Sequence, residues 1–172
     1  MRLGAIALLV GVLVFPSLRA HAATTRTAVA PSTPSCAASG LVVWLDTNGN
    51  GAAGSVYYRL EFTNLSGRTC RLRGFPGVSG VDLGGHRLGR PASRNHAIAA
   101  RTVTLGRGAS ASAVLQIVEA GNFSAASCRQ VTAAGLRVFP PNQTASKVVP
   151  FPFRACSRAG PVYLMVRAVR KP

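Results

Sequence analysis

Ser55-Val56-Tyr57-Tyr58-Arg59-Leu60-Glu61-Phe62-Thr63-Asn64 decides the fold class. Val56, Tyr58, Leu60 and Phe62 alternate with Tyr57, Arg59, Glu61 and Thr63, the period-two pattern of a strand with one face in a core and one in water. The same alternation recurs on both sides. Downstream, Val103 and Leu105 alternate with Thr102 and Thr104. Ala111, Ala113, Leu115 and Ile117 alternate with Ser110, Ser112, Val114 and Gln116. Val162, Leu164, Val166 and Ala168 give a last inner face. Leu136 to Phe139 is a shorter run stopped by Pro140-Pro141. Only Ser124 to Cys128 suggests a helical turn.

Turn signals punctuate these runs. Asn64-Leu65-Ser66-Gly67 is expected to turn the chain so that Thr69 to Leu72 pairs back, and Phe75-Pro76-Gly77 is a tight turn. Gly84-Gly85 is expected to close a two-residue hairpin between Val78–Leu83 and His86–Leu88. Gly106-Arg107-Gly108 should close another between the Thr102 and Ser110 strands. Seven to nine short strands so spaced predict an all-β, two-sheet, Ig-like sandwich. Trp44 is expected as a core plug, and Phe151-Pro152-Phe153 as a strap over the sandwich edge.

The N-terminus carries Arg2, an apolar run from Leu3 to Phe15, Pro16 and then Ala20-His21-Ala22. This is the order of a secretory signal over residues 1–22, with cleavage expected between Ala22 and Ala23. The run is shorter than the ~20 residues a spanning helix needs, so a secreted chain that does not span the membrane is expected. Residues 23–35 are Thr/Pro/Ser/Ala-rich and read as a disordered leader, which leaves 36–172 as one domain. Cys36, Cys70, Cys128 and Cys156 make an even set, which in an exported chain implies two disulfides. Of the three connectivities, Cys36–Cys70 with Cys128–Cys156 is favoured, because each pair closes a short segment at one end. No C-x-x-C pair suggests zinc.

The chain has 20 Lys+Arg against 4 Asp+Glu, and loss of Arg2 and Arg19 with the signal leaves a net charge of +14. Such a surface attracts anionic envelope polymer or an acidic protein. Arginine makes up most of the basic set in a chain rich in Ala and Gly, which codon usage of a GC-rich genome also produces. Arg68, Arg71 and Arg73 cluster around Cys70 with Phe75 close by, and form the candidate binding surface. Nucleic acid is disfavoured, since basic residues are not interleaved with aromatics and no RNP signature occurs.

Asp46-Thr47-Asn48-Gly49-Asn50-Gly51 matches half of a calcium loop. Position 12, however, is Tyr57 where a bidentate Glu belongs, so a Gly/Asn-rich hairpin loop is the preferred reading. A hydrolase triad could be composed from Asp82, His86 or His96 and a serine, but no G-x-S-x-G elbow accompanies it. Glu61 on an outward strand face and Asp46 in a loop suggest no carboxylate pair. No catalytic, metal-ligating or cofactor-binding residue is therefore assigned. A non-enzymatic, monomeric binding module is expected. Its alternatives are a secreted inhibitor or protein ligand using Arg73 to Val78, or a hydrolase of unrecognised type using His86 or His96. The sequons at Asn64, Asn122 and Asn142 are short patterns that arise by chance.

Several blocks together resemble the family called domain of unknown function 4232 (DUF4232). They are Gly54-Ser55-Val56-Tyr57-Tyr58, Thr63-Asn64-Leu65-Ser66-Gly67-Arg68-Thr69-Cys70, Gly74-Phe75-Pro76-Gly77-Val78, Val103 to Ala111, Leu136-Arg137-Val138-Phe139-Pro140-Pro141, and the four cysteines. The resemblance covers about Cys36 to Val169 and implies an exported, β-rich domain of actinobacterial source. It implies no catalytic residue, and its motifs are turn and staple chemistry.

Overall fold

The computed structural model describes residues 32–172. The expected signal segment and most of the leader lie outside the described residues. Eleven strands follow in order: β1 (Leu41–Ala52), β2 (Ser55–Asn64), β3 (Cys70–Arg73), β4 (Gly77–Val81), β5 (Arg87–Leu88), β6 (Ser93–Asn95), β7 (Thr102–Leu105), β8 (Ser110–Val118), β9 (Gln130–Phe139), β10 (Lys147–Cys156) and β11 (Leu164–Arg167). Besides two short 3-10 turns, Ala38–Gly40 and Ala120–Asn122, there is an α-helical turn, α1 (Ala125–Cys128), capped by Ser124, whose Oγ accepts from the Ser127 N–H. The strands form a five-stranded sheet, β1-β2-β8-β11-β6, a four-stranded sheet, β10-β9-β4-β5, and a two-stranded ribbon, β3-β7.

The chain is an all-β sandwich whose spine is the antiparallel β2–β8 pair, in register from Ser55↔Val118 to Thr63↔Ser110. Alternation makes its inner face: Leu60, Phe62, Ala111, Ala113, Leu115 and Ile117 are all buried. They share one core with Val78, Leu136 and Val138 of the four-stranded sheet and Leu72, Val103 and Leu105 of the ribbon. Burial of each large side chain stabilises by roughly 1.5–3 kcal/mol. Tyr58 meets Phe151 edge-on at 5.0 Å across the sheets. Tyr163 is completely buried and its hydroxyl donates to the Leu88 carbonyl at 2.8 Å. Burial pushes its ionisation up to about 12. Gly80 makes room for that hydroxyl, since a β-carbon there would stand 2.6 Å from it.

The disulfides are Cys36–Cys70 and Cys128–Cys156, as expected. The first ties the chain's entry to β3, where the Cys36 N–H donates to the Arg71 carbonyl and Ser35 bridges Arg71. The end of the expected leader is therefore built onto a strand edge. Phe151-Pro152-Phe153 lies within β10, an edge strand, as the strap reading anticipated. At an edge, the N–H groups missing from Pro150 and Pro152 cost few ladder bonds.

Several local expectations are corrected. Thr69 to Leu72 does not return to β2, because β3 pairs with β7 in register Cys70↔Leu105 to Arg73↔Thr102. Gly106-Arg107-Gly108 is accordingly a corner between sheets and not a hairpin. The β4–β5 loop has three residues, Leu83-Gly84-Gly85, with Gly85 at φ +78° closing a bulged turn. The Asp46–Gly51 stretch is not a loop. It belongs to β1 and carries a register shift between Asp46 and Asn50. The β1–β2 turn is Ala53-Gly54, both at positive φ, a two-residue primed turn. In β11, Leu164 and Val166 face inward, and Ala168 just beyond its end is buried, but Val162 precedes the strand and is exposed.

Trp44 is not a core plug and stands 45% exposed. Strand parity explains this. Leu41 and Leu45 are buried and Val43 packs against the core, so position 44 points outward.

Candidate functional site

The candidate residues Arg68, Arg71, Arg73 and Phe75 come from three places in the fold: the ribbon, the connection before it and the turn after it. Arg71 and Arg73 alternate with buried Cys70 and Leu72, so both face solvent on the ribbon, above Thr104 and Thr102 of β7. Arg68 is exposed in the β2–β3 connection. Phe75 lies beyond the ribbon and joins a different group. His96 packs against its ring at 4.6 Å between centroids, and the Arg94 guanidinium lies 5.8 Å above it. Stacking and cation–π attraction hold this trio.

Two clefts flank the Gly74-Phe75 turn, whose Gly74 carbonyl accepts from the Val169 N–H at 2.9 Å. The first, about 320 Å³, is lined by Phe75, Arg94, Phe139, Pro140, Asn142 and Gln143, together with Gly74 and Gly77. Asn142 adopts φ +59° and donates to the Arg73 carbonyl, which fixes that rim. The second cleft, about 580 Å³, has apolar walls from Ile98, Val103 and Val169 and three cationic groups, Arg101, Arg170 and Lys171. Among the described residues none of these cations pairs with a carboxylate. Neither cleft has an acidic residue in its lining.

The sequence reading did not single out Arg94, Arg101, Arg170 and Lys171, and it named His96 only as a possible catalytic histidine. One local signal existed: Arg94 and His96 are two apart, the spacing that puts two side chains on one strand face.

The acids lie elsewhere. Asp82 and His86 form a contact at 3.2 Å within one exposed hairpin, and the His86 N–H, donating at 2.8 Å, holds the Asp82 carboxyl below its usual range. No serine hydroxyl joins them among the described residues, and His96 is engaged with Phe75. Asp46 and Glu61, expected apart, converge on Arg59: Nη2 donates to Asp46 at 2.8 Å, and Nε lies 3.8 Å from Glu61. The extended run of β1 brings Asp46 opposite Arg59. The hydrogen bond from Arg59, then that from the Asn48 N–H, lowers the Asp46 pKa. The Asp46 carboxylate is thus turned toward Arg59 and the Asn48 N–H.

The T-N-x-S-G block proves to be structural. Asn64 is fully buried, and its Nδ2 donates to the carbonyls of Arg68, Leu105 and Gly106 at 2.9–3.1 Å. Its Oδ1 accepts from the N–H and hydroxyl of Ser66. This side chain knots the β2–β3 connection to the β7–β8 corner, and no glycan could be attached there.

Face-to-face sheets, a side ribbon and two disulfides define a stapled β-sandwich that presents surface clefts. The chain belongs to the family described as Domain of unknown function (DUF4232), whose model matches residues 36–170. No curated protein and no solved structure matches it. Among the described residues no helix is long and apolar enough to cross a membrane.

Proposed function

We propose that the protein is a secreted, monomeric, non-enzymatic binding module that engages an anionic polymer of the cell envelope through the clefts beside Phe75. The observation that carries this reading is the 580 Å³ cleft, where Arg101, Arg170 and Lys171 meet over apolar walls without a carboxylate partner. Arg94 over Phe75 extends the same positive field to the neighbouring cleft. Cations gathered around a low-dielectric wall focus potential and concentrate anions. Two disulfides suit an oxidising compartment outside the cytoplasm. The outward Arg71 and Arg73 on the ribbon add to the attraction without shaping a pocket.

The test is co-sedimentation of the oxidised protein with isolated cell envelope. Binding at low salt should fall steeply at high salt, within the reach of Debye screening. Replacing Arg101, Arg170 and Lys171 together by serine should weaken it about tenfold or more, and replacing Arg68, Arg71 and Arg73 should cost less. Equal losses in the two triple variants would mean that charge total, not the cleft, governs binding. Absence of low-salt binding would sink the reading.

A further inference from the structure

The outer face of the five-stranded sheet carries chemistry that neither fold maintenance nor anion binding uses. Glu61 lies on the solvent side of β2 by register, between Trp44 of β1 and Ser112 of β8, yet it is only 4% exposed. Its carboxylate accepts no hydrogen bond among the described residues, and Nε of Arg59 at 3.8 Å is too far to supply one. Its oxygens are not sealed from water, so a ligand hydroxyl can take the place of that water as donor.

Beside it stands Trp44, the one tryptophan of the chain, with nearly half its surface open. Tyr57 lies on the same face of β2, four residues from Glu61 and so about 13 Å along the strand. Between them, Asp46, Asn48, Asn50, Tyr57 and Arg59 line a cleft of about 380 Å³. The Asp46–Arg59 pair at 2.8 Å braces its middle.

This is a ladder with two aromatic side chains, amides, one carboxylate held by a guanidinium and a second carboxylate beside it. Aromatic faces are electron-rich and attract polarised C–H groups, while amides and carboxylates pair with hydroxyls. A cationic ligand would meet Arg59 and the outward Arg167. An anionic one would meet Asp46 and Glu61. An apolar partner would strip water from all of them and return no hydrogen bonds.

We propose that this face binds a neutral polysaccharide chain. Trp44 and Tyr57 stack on separate sugar rings, and Glu61 accepts hydroxyls of the ring over Trp44. The 13 Å between the aromatic positions is about the length of two to three pyranose rings, so the ligand is a chain and not a monosaccharide. The site is independent of the anion clefts.

Because Trp44 is the only tryptophan, its fluorescence reports the site directly. The oxidised protein is titrated with neutral hexasaccharides of glucose, mannose, galactose, arabinose and N-acetylglucosamine, at low and high salt. At least one should shift Trp44 emission to shorter wavelength along a saturable curve that salt does not move. The matching disaccharide should bind about tenfold more weakly. Glu61→Gln and Tyr57→Ala should each weaken the hexasaccharide about tenfold with the far-UV spectrum unchanged. Trp44→Ala, followed by calorimetry, should abolish binding. Emission unmoved by all five sugars, binding unaffected in both Glu61→Gln and Tyr57→Ala, or a response only to anionic polymer that salt removes would each overturn the proposal. The last outcome would leave the anion reading intact.

Discussion

Glu61 and Asn64 stand three residues apart on β2, both buried, and they meet the cost of burial differently. Asn64 is saturated with partners on both ends of its amide. Glu61 has Arg59 at a distance, and desolvation raises its pKa, with Asp46 adding to the rise and Arg59 opposing it. In the unfolded chain the same carboxyl ionises at its ordinary value. Ionised Glu61 therefore costs native stability above its raised folded value, and the cost disappears as pH falls below the unfolded one. Glu61→Gln should raise the thermal midpoint by about 2–5 °C at pH 7 and leave it unchanged near pH 3. Equal midpoints at both pH values would show that Glu61 carries no such penalty. Residues of this kind are the ones alternation cannot read. Glu61 was correctly assigned to the outward face, but face and burial are separate facts. Trp44 was misplaced for the opposite reason: its hydrophobicity was weighed above the parity set by Leu41 and Leu45.

At the scale of elements, the strands were legible and their partners were not. Val103/Leu105 and the long Ala111 to Ile117 alternation read correctly because side-chain period is a local property. Pairing of β3 with β7 joins segments some thirty residues apart, and no turn residue announces it. The glycines at 106 and 108 looked like a hairpin because a corner between sheets needs the same chemistry. Asn64 holds that corner, which gives an element-level prediction. Asn64→Ala removes a donor shared by three carbonyls and the acceptor of Ser66, and should cost about 2–4 kcal/mol in urea unfolding. Asn64→Asp, which turns a carboxylate oxygen toward those carbonyls, should cost more. An alanine variant as stable as the parent would mean that water replaces the knot.

Over the whole molecule, cysteine spacing was the most reliable long-range signal, since a covalent pair must close whichever strands intervene. The bridges span 34 and 28 residues, and each should contribute about 3–4 kcal/mol through the unfolded chain. They share no residue and tie different parts of the fold, one ending on β3 and the other on β10. Serine variants of each pair should therefore lose that amount separately and nearly additively in the double-pair variant. A double-pair loss well below the sum would reveal structure retained in the unfolded state. Total charge was also legible, but its arrangement was not. The sequence reading gathered Arg68, Arg71 and Arg73 because they are neighbours in the chain. The cations around the large cleft come instead from the β6–β7 connection and the chain's end, which only the assembled fold brings together.

The prolines of β10 have a consequence for molecules held close to one another. A free sheet edge is a template on which another copy's strand can grow, and repetition of that step makes a fibre. At 150 and 152 the template lacks donors, and the register shift between Pro150 and Phe153 bends what remains. Sheet growth across neighbouring copies is thus terminated at β10 by the same residues that pack the strap.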